Sequence, residues 1–264
     1  MVKTPSSYDI IGSKEKAVAI VEIPEDLQKK EKEIANQILT RHKNVKSILK
    51  KVSERKGIHR TTEYELLAGD PNTEVIHKEH YCKFKLDPKL VYFSPREGTE
   101  RLRIANQVKP KETVMLMFAG IGVYAIIIAK KQPKVDKIIS IEINPSAYEY
   151  MKENIRINKL GNKIFPILGD VKVKSKEWYG EFDRVIMPLP HNAWKFLDSA
   201  FKCLKSHGII HMYIIEKEEN IKNKVREIMN KFSNKIKRKP SYKIKKVLPY
   251  APRTYKYRVD IKIL

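Results

Sequence analysis

The sequence predicts an α/β fold, a mainly parallel Rossmann-like sheet with helices on both faces, preceded by a small amino-terminal α+β domain. Three observations carry that prediction. From Phe93 onward, strand-length apolar runs alternate with helix-period segments, the grammar of a parallel sheet built from crossover units. Residues 1–92 lack that alternation and mix short strands with one helix. Finally, VMLMFAGIGVYAIIIAK (114–130) reads as a buried strand that breaks at two glycines and restarts as an apolar helix. Two glycines so placed let the chain turn sharply and let a ligand approach the backbone, as in the first turn of a Rossmann-type unit.

Within 1–92, VAIVEI (18–23) is predicted as a strand, 26–42 as an amphipathic helix and 45–52 as a strand. TEYELLAG (62–69) and TEVIHKEHYCKFKLD (73–87) alternate as further strands around the turn Asp70-Pro71-Asn72. In 93–264 the helix 97–108 leads to strand 113–119 and helix 123–132, then strand 137–143 and helix 145–160. Strand 163–170, a loop, strand 184–190, helix 192–208 and strand 209–216 come next. Helix 220–232 and two terminal strands, the last ending YKYRVDIKIL, close the chain. A short loop between those strands predicts an antiparallel edge.

Charge narrows the partners. With 54 Lys and Arg against 31 Asp and Glu, the formal net charge is +23, spread along the whole chain rather than gathered in a tail. Such a field favours a polyanion, and nucleic acid is the expected class. Cys82 and Cys203 stand far apart with no CxxC or Cys/His spacing, so neither a metal site nor a disulfide framework is expected. No segment approaches the ~20 apolar residues needed to span a bilayer. A cytoplasmic monomer without membrane or metal is the expectation.

In open α/β sheets ligands bind beyond the carboxyl ends of the strands. The first strand ends in FAGIG, and the second ends in Glu142, 20 residues after Gly122, the spacing at which an acid accepts both ribose hydroxyls. The third ends in Asp170, placed to accept from an exocyclic amine, and the fourth in Pro188-Leu189-Pro190. Each has a second reading: Asn144 as a helix cap before Pro145, Gly169-Asp170 as a turn, and the prolines as edge punctuation.

FSPREGTER, MFAGIG, IEINPSAYEYMKENIRINKL, FPILGD, VIMPLP and PYAPRTY together resemble the archaeal and eukaryotic tRNA (guanine-37-N1)-methyltransferases, a match running from SYDIIG to the carboxyl end. The resemblance implies a class I methyltransferase sheet, S-adenosylmethionine as cofactor, and the anticodon loop of tRNA as partner. Phe118, Gly120 and Gly122 are then expected at the methionine end of the cofactor, Glu142 at the ribose, and Asp170 with the main chain of Val171 at the adenine. Ser94 and Arg101 resemble residues that close over the cofactor, and Arg96 resembles an arginine that contacts the target guanine. Glu100 is a candidate general base as an acid of the same segment. Family members usually carry a further amino-terminal domain that grips the tRNA elbow, and this chain starts near where their second domain starts.

Two departures stand out. Leu116 occupies the position of the family's cofactor-strand acid, and Pro188 replaces an asparagine near the target base, as in an archaeal subgroup that also methylates 4-demethylwyosine. Two other readings fit parts of the pattern. A wybutosine-pathway aminocarboxypropyl transferase shares FSP, Arg101 and the ribose acid, and a catalytically inactive tRNA-binding module is compatible with Leu116 and the missing asparagine.

Overall fold

The computed structural model describes residues 8–53, 57, 62–237 and 239–262. Ser7, which opens SYDIIG, and the last two residues of the final predicted strand lie outside them. Strands β1 (Asp9–Gly12), β2 (Ala17–Val21), β3 (Val45–Lys51) and β4 (Tyr64–Gly69) form a sheet in sequence order. The β2–β3 pair is parallel because helix α1 (Glu31–Arg41) crosses between them, and the other two pairs are antiparallel. Ile34, Ala35 and Ile38 of α1 bury one stripe against Ala17, Ala19, Val21 and Ile48. The predicted helix 26–42 divides into a 3-10 stretch, Glu25–Lys30, and α1, with Lys30 off helical geometry at φ −113° and ψ 10°.

Next comes a hairpin of β5 (Val75–Glu79) and β6 (Cys82–Leu86). Its outer edge is satisfied by helix α4 (Pro145–Ile157) and the residue after it. Asn154 accepts from the Lys85 amide at 2.6 Å and donates to the Lys85 carbonyl at 3.1 Å, while Asn158 does the same at Lys83, at 3.0 and 2.7 Å. Residues four apart on a helix rise about 6 Å and residues two apart on a strand about 6.6 Å. Two asparagines can therefore stand in for a missing strand.

The main sheet holds β7 (Thr113–Met117), β8 (Lys137–Glu142), β9 (Ile164–Leu168), β10 (Phe182–Met187), β11 (Leu204–Lys217), β12 (Ser241–Ala251) and β13 (Thr254–Lys262) in the order β12-β13-β11-β10-β7-β8-β9. Pairing is parallel from β11 through β10, β7 and β8 to β9, and β13 runs antiparallel to both β11 and β12. This is the predicted parallel sheet with an antiparallel edge. Alternate residues divide between two cores. Val114, Leu116, Ile138, Ile186 and Tyr213 face the layer of α2 (Gly98–Ala105), α3 (Val123–Lys131) and α4. On the other face, Met115, Met117, Ile139, Val185 and Met212 meet α6 (Leu197–Cys203) and α7 (Ile221–Ile236), and a short α5 (Val171–Lys174) follows β9.

The predicted helix 192–208 is corrected by the structure. It becomes a 3-10 turn, Ala193–Phe196, then α6, and the chain from Leu204 already belongs to β11, paired with Phe182. Lys205 explains the early extension, because its ammonium donates to Asp183 at 2.9 Å and to Thr113 Oγ1 at 3.0 Å at the foot of neighbouring strands. Strand β1, only four residues long, has no counterpart in the sequence reading. Among the described residues no helix is long and apolar enough to cross a membrane.

Candidate active site

The strand order reverses between β7 and β10, and the carboxyl ends of β7, β8, β9 and β10 meet around that point. Sheet topology makes this the ligand end. After β7 the chain turns through Phe118 at φ 61°, Gly120 at φ 55° and Gly122 at φ 83°, and Gly122 caps α3. The two glycines differ in their surroundings. A Cβ at Gly122 would sit 2.9 Å from Met151 Cγ, so a side chain there would have to displace Met151. A Cβ at Gly120 would meet nothing within 4 Å, so the space above that peptide is open to a ligand.

Glu142, nearly buried at the end of β8, is aimed at this turn. Its Oε2 accepts from the Gly120 amide at 2.6 Å and its Oε1 from the Asn144 amide at 2.8 Å. A carboxylate has about four acceptor positions, and the two amides fix its orientation. Asn144 caps α4 as the sequence suggested, accepting from the Ser146 amide at 3.0 Å ahead of Pro145. Its side-chain amide also donates to the Leu90 carbonyl at 3.4 Å, which brings the segment before Ser94 to the same strand ends.

Asp170 caps α5, with Oδ1 accepting from the Lys172 amide at 2.6 Å, and Val171 is buried beside it. The turn and the ligand-facing readings of Asp170 are compatible, since one oxygen serves the cap. Phe196, which sequence reasoning missed, meets Phe118 edge-on with centroids 4.8 Å apart, and Lys172 lies 5.1 Å above its ring. The Phe196 ring thus ties the loop after β10 to the glycine turn and to α5. Pro188 lies half-buried at the start of that loop.

Ser94, Arg96, Glu100 and Arg101 form a second group at the start of α2. Arg101 is buried, holds Glu79 of β5 in a two-point ion pair, donates to the Ser94 carbonyl at 3.0 Å and lies 5.2 Å from the Phe93 ring centroid. It clamps the SPR segment to the hairpin. Arg96 is exposed and donates through Nε to Asp9 of β1 at 2.6 Å. Glu100 lies beneath α2, where Oε1 accepts from Tyr213 at 2.8 Å and from Arg258 at 2.6 Å. Its buried Oε2 has no hydrogen-bond partner, and Arg103 stands 3.6 Å away. Glu97 pairs with buried Lys256 at 2.8 Å; burial opposes its charge, but the ammonium outweighs that and holds the carboxyl below its usual range. Tyr124 is core, with its hydroxyl 3.4 Å from that of Tyr213. Leu116 is fully buried in the core.

Further along the same face, Arg184 Nη1 is 2.5 Å from His211 Nε2, and His211 Nδ1 is 2.6 Å from Asp260. A guanidinium only donates, so Nε2 accepts and the proton sits on Nδ1, which donates to Asp260. Burial pushes the His211 pKa down in agreement with that neutral form. Both cysteines are buried and free, and burial raises Cys82 to about 11 and Cys203 to about 12, so neither is a nucleophile. Among the described residues no cluster of His, Cys, Asp and Glu has metal-binding geometry.

A family model described as the TRM5/TYW2 methyltransferase domain matches residues 75–241, and one described as the TYW2 N-terminal domain matches residues 1–73. The chain is 40% identical to the tRNA (guanine(37)-N(1))-methyltransferase Trm5b of Pyrococcus abyssi, over 98% of its own length and 75% of that protein. It is 38% identical to the tRNA 4-demethylwyosine(37)-methyltransferase Taw21 of Saccharolobus solfataricus, covering 90% and 86%. It is also 32% identical to the tRNA (guanine(37)-N(1))/4-demethylwyosine(37)-methyltransferase Taw22 of Nanoarchaeum equitans, covering 98% and 100%. Among solved structures, the complex of aTrm5 with tRNALeu superposes with a TM-score of 0.83 at 37% identity, covering 99% of this chain and 73% of that one. Methanocaldococcus jannaschii TYW2 in complex with AdoMet superposes at 0.73 and 32% identity, covering 97% and 99%.

Proposed function

This chain belongs to the TRM5/TYW2 methyltransferase family, and on that premise we propose that it methylates N1 of guanosine at tRNA position 37 and also C-methylates 4-demethylwyosine there. S-adenosylmethionine is the cofactor in this reading, and it supplies a methyl group already activated by a sulfonium. The observation that carries the proposal is the Glu142 carboxylate, oriented by the amides of Gly120 and Asn144 beside the open space over Gly120. That arrangement fits a ribose and a backbone-hugging ligand. Phe118, Gly122, Asp170 and the main chain of Val171 complete the cofactor site.

The remaining task of the protein is to orient the target base and remove one proton. Guanine N1 is protonated at neutral pH, and negative charge develops on O6 as the proton leaves. We assign Arg96 to that charge, an oxyanion-type role for an exposed guanidinium whose Nε already holds Asp9. Glu100 is the acid of the same segment, and its Oε2, which accepts no hydrogen bond and faces Arg103 at 3.6 Å, is the atom assigned to the proton. Ser94 and Arg101 hold the segment in place through the Glu79 ion pair. Pro188 forms the wall on the side of the target base. The target leaves the stacked anticodon loop to enter the site.

The test supplies S-adenosylmethionine with tRNA carrying guanosine or 4-demethylwyosine at position 37 and analyses the digests by mass spectrometry. One methyl added to each nucleoside is expected. No transfer to either, or addition of an aminocarboxypropyl group, would overturn the proposal.

A further inference from the structure

We propose that Tyr250, backed by His191, is a stacking platform for the nucleotide next to the methylated one. The inference deepens the tRNA reading above and rests on it. A short loop follows Pro188. That loop is held over β11, with the Ala193 amide donating to the Leu189 carbonyl at 3.1 Å and the Ile215 amide to the Pro190 carbonyl at 3.4 Å. His191 projects from it, exposed. Strand β12 runs in the same direction as β11, so Tyr250 near its end reaches the ligand end of the sheet. The two rings meet edge to face, with centroids 6.2 Å apart and planes at 72°.

Tyr250 is 50% exposed, and it contributes to neither sheet core. The surroundings are cationic. Arg253 lies in the turn that follows Tyr250, and Lys195, four residues beyond His191, covers the partly exposed Trp194 ring at 5.5 Å. Lys246 is engaged elsewhere, with Glu218 at 2.5 Å and the Tyr255 ring at 3.7 Å. An exposed aromatic face among cations is what single-stranded RNA binds, by stacking bases and neutralising phosphates. The need for it follows from the reaction. When the target base swings out of the loop, its neighbour loses a stacking partner, and an aromatic side chain beside the entrance replaces it.

Two measurements test the platform. Tyr250→Ala is expected to raise KM for tRNA by about five- to a hundredfold, the range for losing one stacked base. Its kcat should stay within twofold, its cofactor affinity should not change, and Tyr250→Phe should behave as the wild type. Independently, 2-aminopurine placed in turn on each side of position 37 should be quenched by the wild-type protein at one position and not by Tyr250→Ala. An unchanged KM, or no quenching at either position by a wild-type protein that methylates the tRNA, would overturn the platform and leave the methyltransferase reading intact. A wild-type protein that does not methylate the tRNA would remove both.

Discussion

The Gly120 amide donates to Glu142 Oε2 at 2.6 Å, so the end of β8 and the turn after β7 share one hydrogen bond. With the Asn144 amide on the other oxygen, the carboxylate is oriented before any ligand arrives. Hydrogen bonds to a charged group contribute about 1.5–3 kcal/mol. Glu142→Ala should therefore weaken S-adenosylmethionine binding by roughly ten- to a hundredfold in calorimetry. Unchanged affinity in a folded variant would remove Glu142 from the site.

Gly120 and Gly122 should respond differently to alanine. Both adopt positive φ, so each substitution carries about 1–2 kcal/mol of backbone strain. At Gly122 the new methyl also collides with Met151, and the variant should lose the larger amount of stability in urea unfolding. At Gly120 the methyl enters open space, so the fold should hold while cofactor affinity falls. Equal stability losses with equal affinities would contradict the division of roles.

Much of this site was legible because its residues lie at the ends of apolar runs. All five residues of β7 are buried, and the break after Met117 is marked by the glycines themselves. The cap at Asn144 was legible for the same local reason. What escaped was contact between distant segments. Arg96 meets Asp9 across 87 positions, Glu100 meets Arg258 across 158, and no local pattern announces either pairing. Phe196 was hidden inside a segment that reads as helix. Its helical continuation fails because Lys205 finds Asp183 and Thr113, again a pairing that periodicity does not contain.

A charge of +23 predicts tRNA binding that depends steeply on salt. Each phosphate neutralised releases condensed counterions, and a contact set of six or more phosphates loses about a thousandfold in affinity between roughly 50 and 200 mM salt. Filter binding or fluorescence anisotropy across that range should show a linear fall of log affinity with log salt. A flat line would contradict the polyanion reading.

Acid stability should depend on Asp260. Burial opposes its charge, but hydrogen bonds from His211 and Arg258 prevail and lower its pKa from 3.8 to about 2. The unfolded chain takes up this proton first, so the stabilisation is present above pH ~4 and is lost as pH falls toward about 2. Its size is about 2 kcal/mol. His211 has the same sign, since burial lowers its pKa from 6.5 and the unfolded chain is again protonated first. In urea unfolding as a function of pH, the difference between wild type and Asp260→Asn should shrink from pH 4 to 2. A constant difference over that window would show that Asp260 does not titrate as assigned.

Pro188 is where the choice between the two nucleosides should be made. Guanosine presents its N1–H and O6 edge to a side-chain amide, so an asparagine at this position could discriminate for it. In 4-demethylwyosine ring closure has consumed the N1–H, the base is wider, and the methyl must reach a carbon. Pro188 has no side-chain donor or acceptor and stands half-buried at the start of the loop, so a wider base enters without leaving a buried amide unpaired. Introducing the amide with Pro188→Asn should therefore lower methylation of 4-demethylwyosine more than methylation of guanosine, by roughly tenfold for an unpaired buried group of about 1–2 kcal/mol. Competing the two tRNAs in one reaction and quantifying both products by mass spectrometry measures that ratio directly. A ratio unchanged by the substitution would place the determinant elsewhere in the pocket, while loss of both activities together would mark Pro188 as a support of the loop that carries Phe196.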